Sequence, residues 1–276
     1  MSGPQSPTFD AARGAAAKES ADALVVAGRA ASGRAPRSSW GPLLLQIGVL
    51  VALIVALFVW LAQADLSPTE RSTLAPAELW RLTLQHLKLT AVSAILVLVI
   101  AVPLGVLLTR GPLRRATPAV LAIANIGQSA PAVGLVVLLA FAMGFGFPAA
   151  VVALVLYAIL PVLRNTMVGL DGVDRRLIEA GRGMGMSAAA VLFKVELPLA
   201  VPVMLAGIRT ALVLLVGTAT LATFVDGGGL GLLITTGVNL SQTAVLVVGS
   251  LLVALLALVV DWAGRVVEHL AKPKGL

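Results

Sequence analysis

The chain has 276 residues, of which 59% are hydrophobic and only 12% charged, and its mean hydropathy of +1.00 excludes a soluble globular domain. A net charge of +7 raises nucleic-acid binding, but the bases are spread among connecting segments with no aromatic-interleaved basic face, so they read as a topology signal. Without cysteine there is no disulfide framework, thiolate metal site or thiol nucleophile, and His86 and His269 lie too far apart to form a zinc motif.

Residues 1–42 are rich in Ala, Gly, Ser and Arg and lack apolar periodicity, so a disordered cytoplasmic tail is expected. The stretch 28–34 has the glycines of a phosphate loop, but Arg34 and Ala35 stand where Lys and Ser/Thr are needed and no strand precedes it, so it is read as part of the tail. Residues 43–62 form the first apolar run, matching the roughly 20 residues a helix needs to cross hydrocarbon. "AQA" at 62–64 resembles a signal-peptidase site, yet a leader of that length with a full span is wrong for a cleaved signal, and the segment is expected to be retained.

Further runs follow at 89–109, 118–145, 148–170, 199–224 and 244–262, each bounded by glycine, proline or charge. Backbone groups in lipid must be paired within the segment, so six transmembrane helices are expected rather than barrel strands. Arg110, Arg114 and Arg115 follow the second run. Arg164, Arg175, Arg176, Arg182 and Lys194 surround the connection between the fourth and fifth, and Arg265, Lys272 and Lys274 follow the sixth. With Arg13, Lys18, Arg29, Arg34 and Arg37 ahead of the first run, the positive-inside rule places both termini in the cytoplasm. Only the loop 63–88, with Arg71, Arg81 and Lys88 accompanied by Asp65, Glu70 and Glu78, dilutes that pattern.

The connection between the fourth and fifth runs contains "EAGRGMGMSAAAVLFKVELP" at 179–198. Residues 175–182 read as a short helix interrupted by Gly183 and Gly185. Ser187 can cap a second helix ending before Pro198. On that second helix Val191, Leu192 and Val195 share an apolar face while Lys194 and Glu196 diverge from it. Glu179-Ala180-Gly181, three residues, Gly185, nine residues, then Val195-Glu196-Leu197-Pro198 resembles the cytoplasmic EAA loop of ABC importer permeases. Gly181 replaces the usual Ala and Val195 the usual Ile. The likeness extends over 88–237: "LYAILPVLRNTMVGLDGVD" at 156–174, "GIRTALVLLVGTATLATF" at 207–224, "GGGLG" at 227–231 and "ANIGQSAPAVGL" at 124–135, with Gly127 and Ala132 as departures, are similar to the osmoprotectant branch.

The resemblance implies an all-α membrane protein of six helices with the type I importer (MetI-like) permease fold, N-in and C-in. Composition and the apolar runs divide the chain into a tail at 1–42, a first helix and external loop at 43–87, a core at 88–264 holding the coupling loop at 175–198, and a cytoplasmic C-terminal tail at 265–276. The implied activity is inward translocation of glycine betaine, choline, carnitine or proline-type solutes. The implied ATPase-coupling residues are Glu179, Ala180, Gly181, Gly185, Val191, Val195, Leu197 and Pro198. The implied partners are cytoplasmic ATPase subunits that carry ATP and Mg, a second identical or related permease subunit, and an extracytoplasmic solute-binding protein, with this chain itself multi-pass in a bacterial plasma membrane. No cofactor, metal, nucleic acid or catalytic residue is expected on this chain, which has no Walker-type loop.

Read on their own chemistry, Asn125, Gln128 and Ser129 in the third run and Thr218, Thr220 and Thr223 in the fifth are polar groups that face other helices or water. With Tyr157 they are candidates for a substrate pathway or for packing. Arg209 lies seven residues past Pro202, about 10 Å along a helix; its head either snorkels to the cytoplasmic interface or pairs with Asp174 or Glu196 as a brace. An ion-coupled secondary transporter of small amines or amino acids is the alternative function, but the runs contain almost no acids near mid-span. An intramembrane enzyme lacks a candidate catalytic constellation.

Overall fold

The computed structural model describes residues 40–271, and the expectations for 1–39 and 272–276 lie outside the described residues. Helix α1 spans Trp40–Gln63. It buries only Leu43, Leu50 and Leu57, a seven-residue spacing that makes one narrow seam. Leu44, Leu45, Val49, Phe58 and Trp60 are left exposed, as an apolar helix can be only where lipid covers it. A short helix α2, Pro68–Thr73, is fixed by a capping box between Ser67 and Glu70 in a segment expected to be loop. Helix α3 runs over Pro76–Leu108; the last twelve residues of the expected external loop are therefore helical, and the boundary expected at 88 falls inside α3.

The expected single span at 118–145 is instead two helices, α4 (Thr117–Ser129) and α5 (Ala132–Met143), bent by 100° at the break. Ala130 is extended with ψ 144 because Pro131 crowds the preceding residue out of the helical region. Helix α6 covers Phe147–Asp171. It is the most enclosed span, and its buried Ala149, Ala150, Ala153 and Ala158 let neighbouring backbones approach closely. A two-helix segment, α7 (Arg175–Gly183) and α8 (Ala188–Val191), leads into α9 (Leu197–Thr218). After a tight 3-10 turn at Ala219–Val225 come the short α10 (Gly231–Asn239) and the long α11 (Thr243–Ala271). The C-terminal tail expected from 265 is helical through Ala271.

Parts of α3, α5, α6 and α9 and the 219–225 turn share one apolar core that includes Leu89, Val97, Leu154, Leu163 and Leu215. Leu50, Leu57, Val216, Leu230, Val245 and Val248 form a second, which joins α1 and α10 to α11. The bundle has two chemically distinct ends. At one end, the Thr117 hydroxyl donates to the Leu108 carbonyl at 3.0 Å and Arg114 faces Asp171 at 3.7 Å, so the end of α3, the start of α4 and the end of α6 lie together. At the other end, the Gly146 N–H donates to the Val225 carbonyl at 2.6 Å, and the Lys88 ammonium sits 5.4 Å from the Phe147 ring centroid. Lys88 precedes Leu108 by twenty residues, about 30 Å of helix. The bent pair α4–α5 therefore runs from one end to the other and acts as one broken span, giving six apolar crossings among the described residues.

Candidate functional site

At the first end, α7 and α8 form the hairpin expected from the glycines. The Asp174 carboxylate accepts from the Arg176 N–H at 2.9 Å and caps α7. The helix stops in a Schellman arrangement, in which the Met186 N–H donates to the Gly181 carbonyl at 3.1 Å and the Gly185 N–H to the Arg182 carbonyl at 2.9 Å. This requires a left-handed residue between them, and Gly185 supplies it with φ +83. The Ser187 hydroxyl then accepts from the Ala190 N–H at 3.2 Å and starts α8. Gly181 is buried at the crossing, where a Cβ would meet Val191 Cγ2 at 3.3 Å and Met186 Sδ at 3.4 Å; the glycine in place of alanine draws α7 close onto α8.

The surface this hairpin offers differs from the expected one. Val191 is buried within the chain, and Leu192 and Leu197 pack on the small core of Leu170, Ala200 and Met204. That apolar face is consumed internally because it anchors the hairpin to α3, α6 and α9. Leu177, Met184 (77% exposed) and Phe193 (67% exposed) face outward, together with Glu179, Ala180, Gly185 and Pro198. Sequence periodicity could not choose between the two faces, since both carry apolar residues.

Nor does the second helix end before Pro198. It passes through a π turn at Leu192–Glu196, closed by the Leu197 N–H on the Leu192 carbonyl, and continues as α9. Pro198 has no N–H to donate and its ring would crowd the carbonyl four residues back; the wider turn accommodates both. Glu196 is carried inward to 3% exposure and forms a two-pronged ion pair with Arg110, one prong from Arg110 Nη1 to Oε1 at 3.0 Å and the other from Nη2 to Oε2. Arg110, Glu196, Arg114, Asp171 and Arg175 line a polar cavity of about 250 Å³ beneath the hairpin. Sequence reasoning used Arg110 only as a topology marker. The single clue was an acid between apolar residues, and nothing pointed 86 residues back to its partner.

The profile of the family described as "Binding-protein-dependent transport system inner membrane component" matches residues 101–272, a range that contains the whole hairpin and its tie to α3. The chain belongs to this family. Among its relatives, the glycine betaine/carnitine/choline transport system permease protein OpuCB of Bacillus subtilis is 41% identical over 199 residues, covering 72% of this chain and 91% of that protein. The osmoprotectant import permease protein OsmW of Salmonella typhimurium is 42% identical over 200 residues, covering 71% and 92%. A solved inward-facing structure of the MetNI methionine ABC transporter matches with a TM-score of 0.62 and 28% identity, over 71% of this chain and 96% of that one. The protein is thus a multi-pass inner-membrane permease with the MetI-like fold, the component of an ABC importer that works with an ATPase and a substrate-binding protein.

The polar groups along the permease's spans do not converge. The Asn125 carboxamide oxygen accepts from Arg164 Nη2 at 2.8 Å, joining α4 to α6. Arg164 is a second cation inside a span, seven residues before the end of α6. Gln128 is half-buried and Ser129 exposed at the broken joint, and Tyr157 and Thr223 are half-buried. The Thr218 hydroxyl donates to Leu214 at 2.8 Å and the Thr220 hydroxyl to Gly217 at 2.7 Å, so both satisfy their own helix. Buried His86, passed over in the sequence, bridges two elements: Nε2 lies 3.0 Å from the Val216 carbonyl, and Nδ1 accepts from the Leu230 N–H at 3.3 Å. This fixes the imidazole as the Nε2–H tautomer.

Arg209 is a brace with partners other than those expected. It reaches Glu268 at 3.2 Å and Asp261 at 3.6 Å on α11, and Asp261 also holds Arg265 at 2.8 Å. Asp174 caps α7 and Glu196 pairs with Arg110. Arg209→Gln leaves the half-buried Glu268 without this cation and Asp261 with Arg265 alone, and is expected to cost about 1–3 kcal/mol, read as a lower melting temperature in detergent. Arg209→Lys should retain most of the wild-type value; equal behaviour of wild type, Lys and Gln variants would disprove the brace.

Proposed function

We propose that this chain is the permease subunit for a compatible solute of the glycine betaine, choline, carnitine or proline type, moved inward at the expense of ATP hydrolysed on partner subunits. The observation that carries this reading is identity of about two residues in five to permeases named for glycine betaine, carnitine, choline or osmoprotectants, across nearly their whole length. The end of the bundle bearing Arg110, Arg114, Arg175, Arg176, Arg182 and Lys194 is placed in the cytoplasm by the positive-inside rule. There the outward side of the hairpin docks in a groove of the ATPase: Leu177, Met184 and Phe193 supply apolar contact, Glu179 offers charge, and Gly185 sets the angle between helices. A second identical or related permease completes the pathway, and a solute receptor delivers cargo at the opposite end.

Mechanically, a hairpin is an effective lever only if it is rigid and tied to more than one span. Here α8 is continuous with α9, and the Arg110–Glu196 pair ties the same point to α3. Movement of the ATPase groove therefore displaces both spans together.

The test is uptake in vesicles containing the permease, its ATPase and receptor. Gly185→Trp and Glu179→Arg should abolish ATP-coupled import and stimulation of ATP hydrolysis while leaving membrane insertion at the wild-type level. Wild-type stimulation in both would refute the docking assignment, and import driven by a proton or sodium gradient without ATP would favour a secondary transporter.

A further inference from the structure

Opposite the hairpin, a cavity of about 480 Å³ is lined by Arg81, Gln85, Lys88, Phe147 and Asp226 together with the adjoining glycine loop. Its size suits a small organic solute, for which pockets of roughly 300–1,000 Å³ are usual. Arg81, Gln85 and Lys88 share one face of α3 at spacings of four and three residues. The site is held in shape by that same face: Gln85 Oε1 accepts from the Gly229 N–H at 3.3 Å, and the neighbouring His86 accepts from Leu230.

The charge arrangement is specific. The Arg81 guanidinium is engaged by Glu78, with Nε on Oε2 at 2.9 Å. Lys88 and Asp226 have no ion-pair partner among the described residues and do not pair with each other. Instead the Lys88 ammonium rests 5.4 Å from the centre of the Phe147 ring, the position that a quaternary ammonium prefers on an aromatic face. Asp226 stands in the left-handed region with φ 59, a conformation that Asp tolerates better than most residues, followed by Gly228 and Gly229 at φ 77 and 95; this turn brings its carboxylate to the cavity wall. One cation and one anion, both without an ion-pair partner among the described residues, and one aromatic face thus line a single cavity.

We propose that this cavity is a zwitterion site at the outer mouth of the permease, taking the carboxylate of a betaine-type solute on Lys88 and its quaternary ammonium on Asp226 and the Phe147 ring. On binding, the solute's ammonium replaces that of Lys88 on the ring, and Lys88 turns to the carboxylate. The assignment rests on the proposed solute class and adds a contact made by the permease itself, separate from recognition by the receptor.

The experiment is equilibrium binding of glycine betaine and of choline to the permease–ATPase complex in nanodiscs, without receptor. Wild type should bind both saturably. Lys88→Gln should weaken glycine betaine about tenfold or more while leaving choline, which has no carboxylate, within about twofold; Asp226→Asn should weaken both about tenfold or more. Retained choline binding shows that the Lys88→Gln variant is folded. If the same complex imports glycine betaine once receptor and ATP are added, yet shows no receptor-free binding, the site is wrong and the proposed function stands. Equal loss of both ligands in Lys88→Gln also overturns the site, and failure to import any quaternary amine removes both proposals.

Discussion

Arg110→Ala is expected to lower the melting temperature of the detergent-solubilised permease by roughly 5–10 °C, from a loss of about 3 kcal/mol. The carboxylate of Glu196, with a side chain only 4% exposed, has Arg110 as its two-pronged partner. Removing the cation strands a buried charge, and that penalty exceeds the net worth of the pair. The expected loss is at the low end of the range because the Arg110 side chain is itself 36% exposed, so some water can replace it. The double variant Arg110→Met with Glu196→Met removes both charges and should recover most of the melting temperature. It should not recover full ATP-coupled uptake, because the hairpin has lost its tie to α3. If the Arg110→Ala variant melts with wild type, the pair does not hold the hairpin.

Gly231→Ala is expected to cost more than about 4 kcal/mol and to leave little folded permease in the membrane, measured as the monodisperse fraction after extraction. A Cβ on Gly231 would lie 2.0 Å from the Thr220 carbonyl oxygen and 2.7 Å from its carbon. Those atoms belong to the backbone of the 219–225 turn, so no side-chain rotation relieves the overlap. Separating α10 from that turn also pulls on Leu230, whose N–H donates to His86, and on the second apolar core, which contains Leu230 and Leu233. Gly48→Ala is the control: it lies in α1 with nothing within 4 Å and should be neutral or slightly stabilising, since alanine favours helix over glycine by up to about 1 kcal/mol. Normal yield of the Gly231 variant would mean that α10 does not pack as described.

The apolar runs were legible because the rule they obey is local: a backbone in lipid must satisfy its own hydrogen bonds, so a long apolar stretch is a helix whatever its neighbours do. The hairpin turn was equally legible, since Gly185 and Ser187 act on groups within five residues of themselves. The break at Pro131 was not read, although the proline was visible. Proline inside a span can kink, break or be absorbed, as Pro103 and Pro161 are inside α3 and α6, and packing decides among these outcomes.

Composition and spacing by themselves determined that this is a helical membrane protein, where its spans other than the second begin within a turn or so, and that a glycine-bent polar hairpin joins two of them. Only the tertiary structure decided which side of the hairpin faces outward, that Glu196 meets Arg110, that Arg209 meets Asp261 and Glu268, and that Lys88 and Asp226 border one cavity. The reason is range. Helix formation, capping and turns are settled by atoms a few residues apart, whereas an ion pair across 86 positions depends on helix crossings and on a π turn that rotates one carboxylate inward.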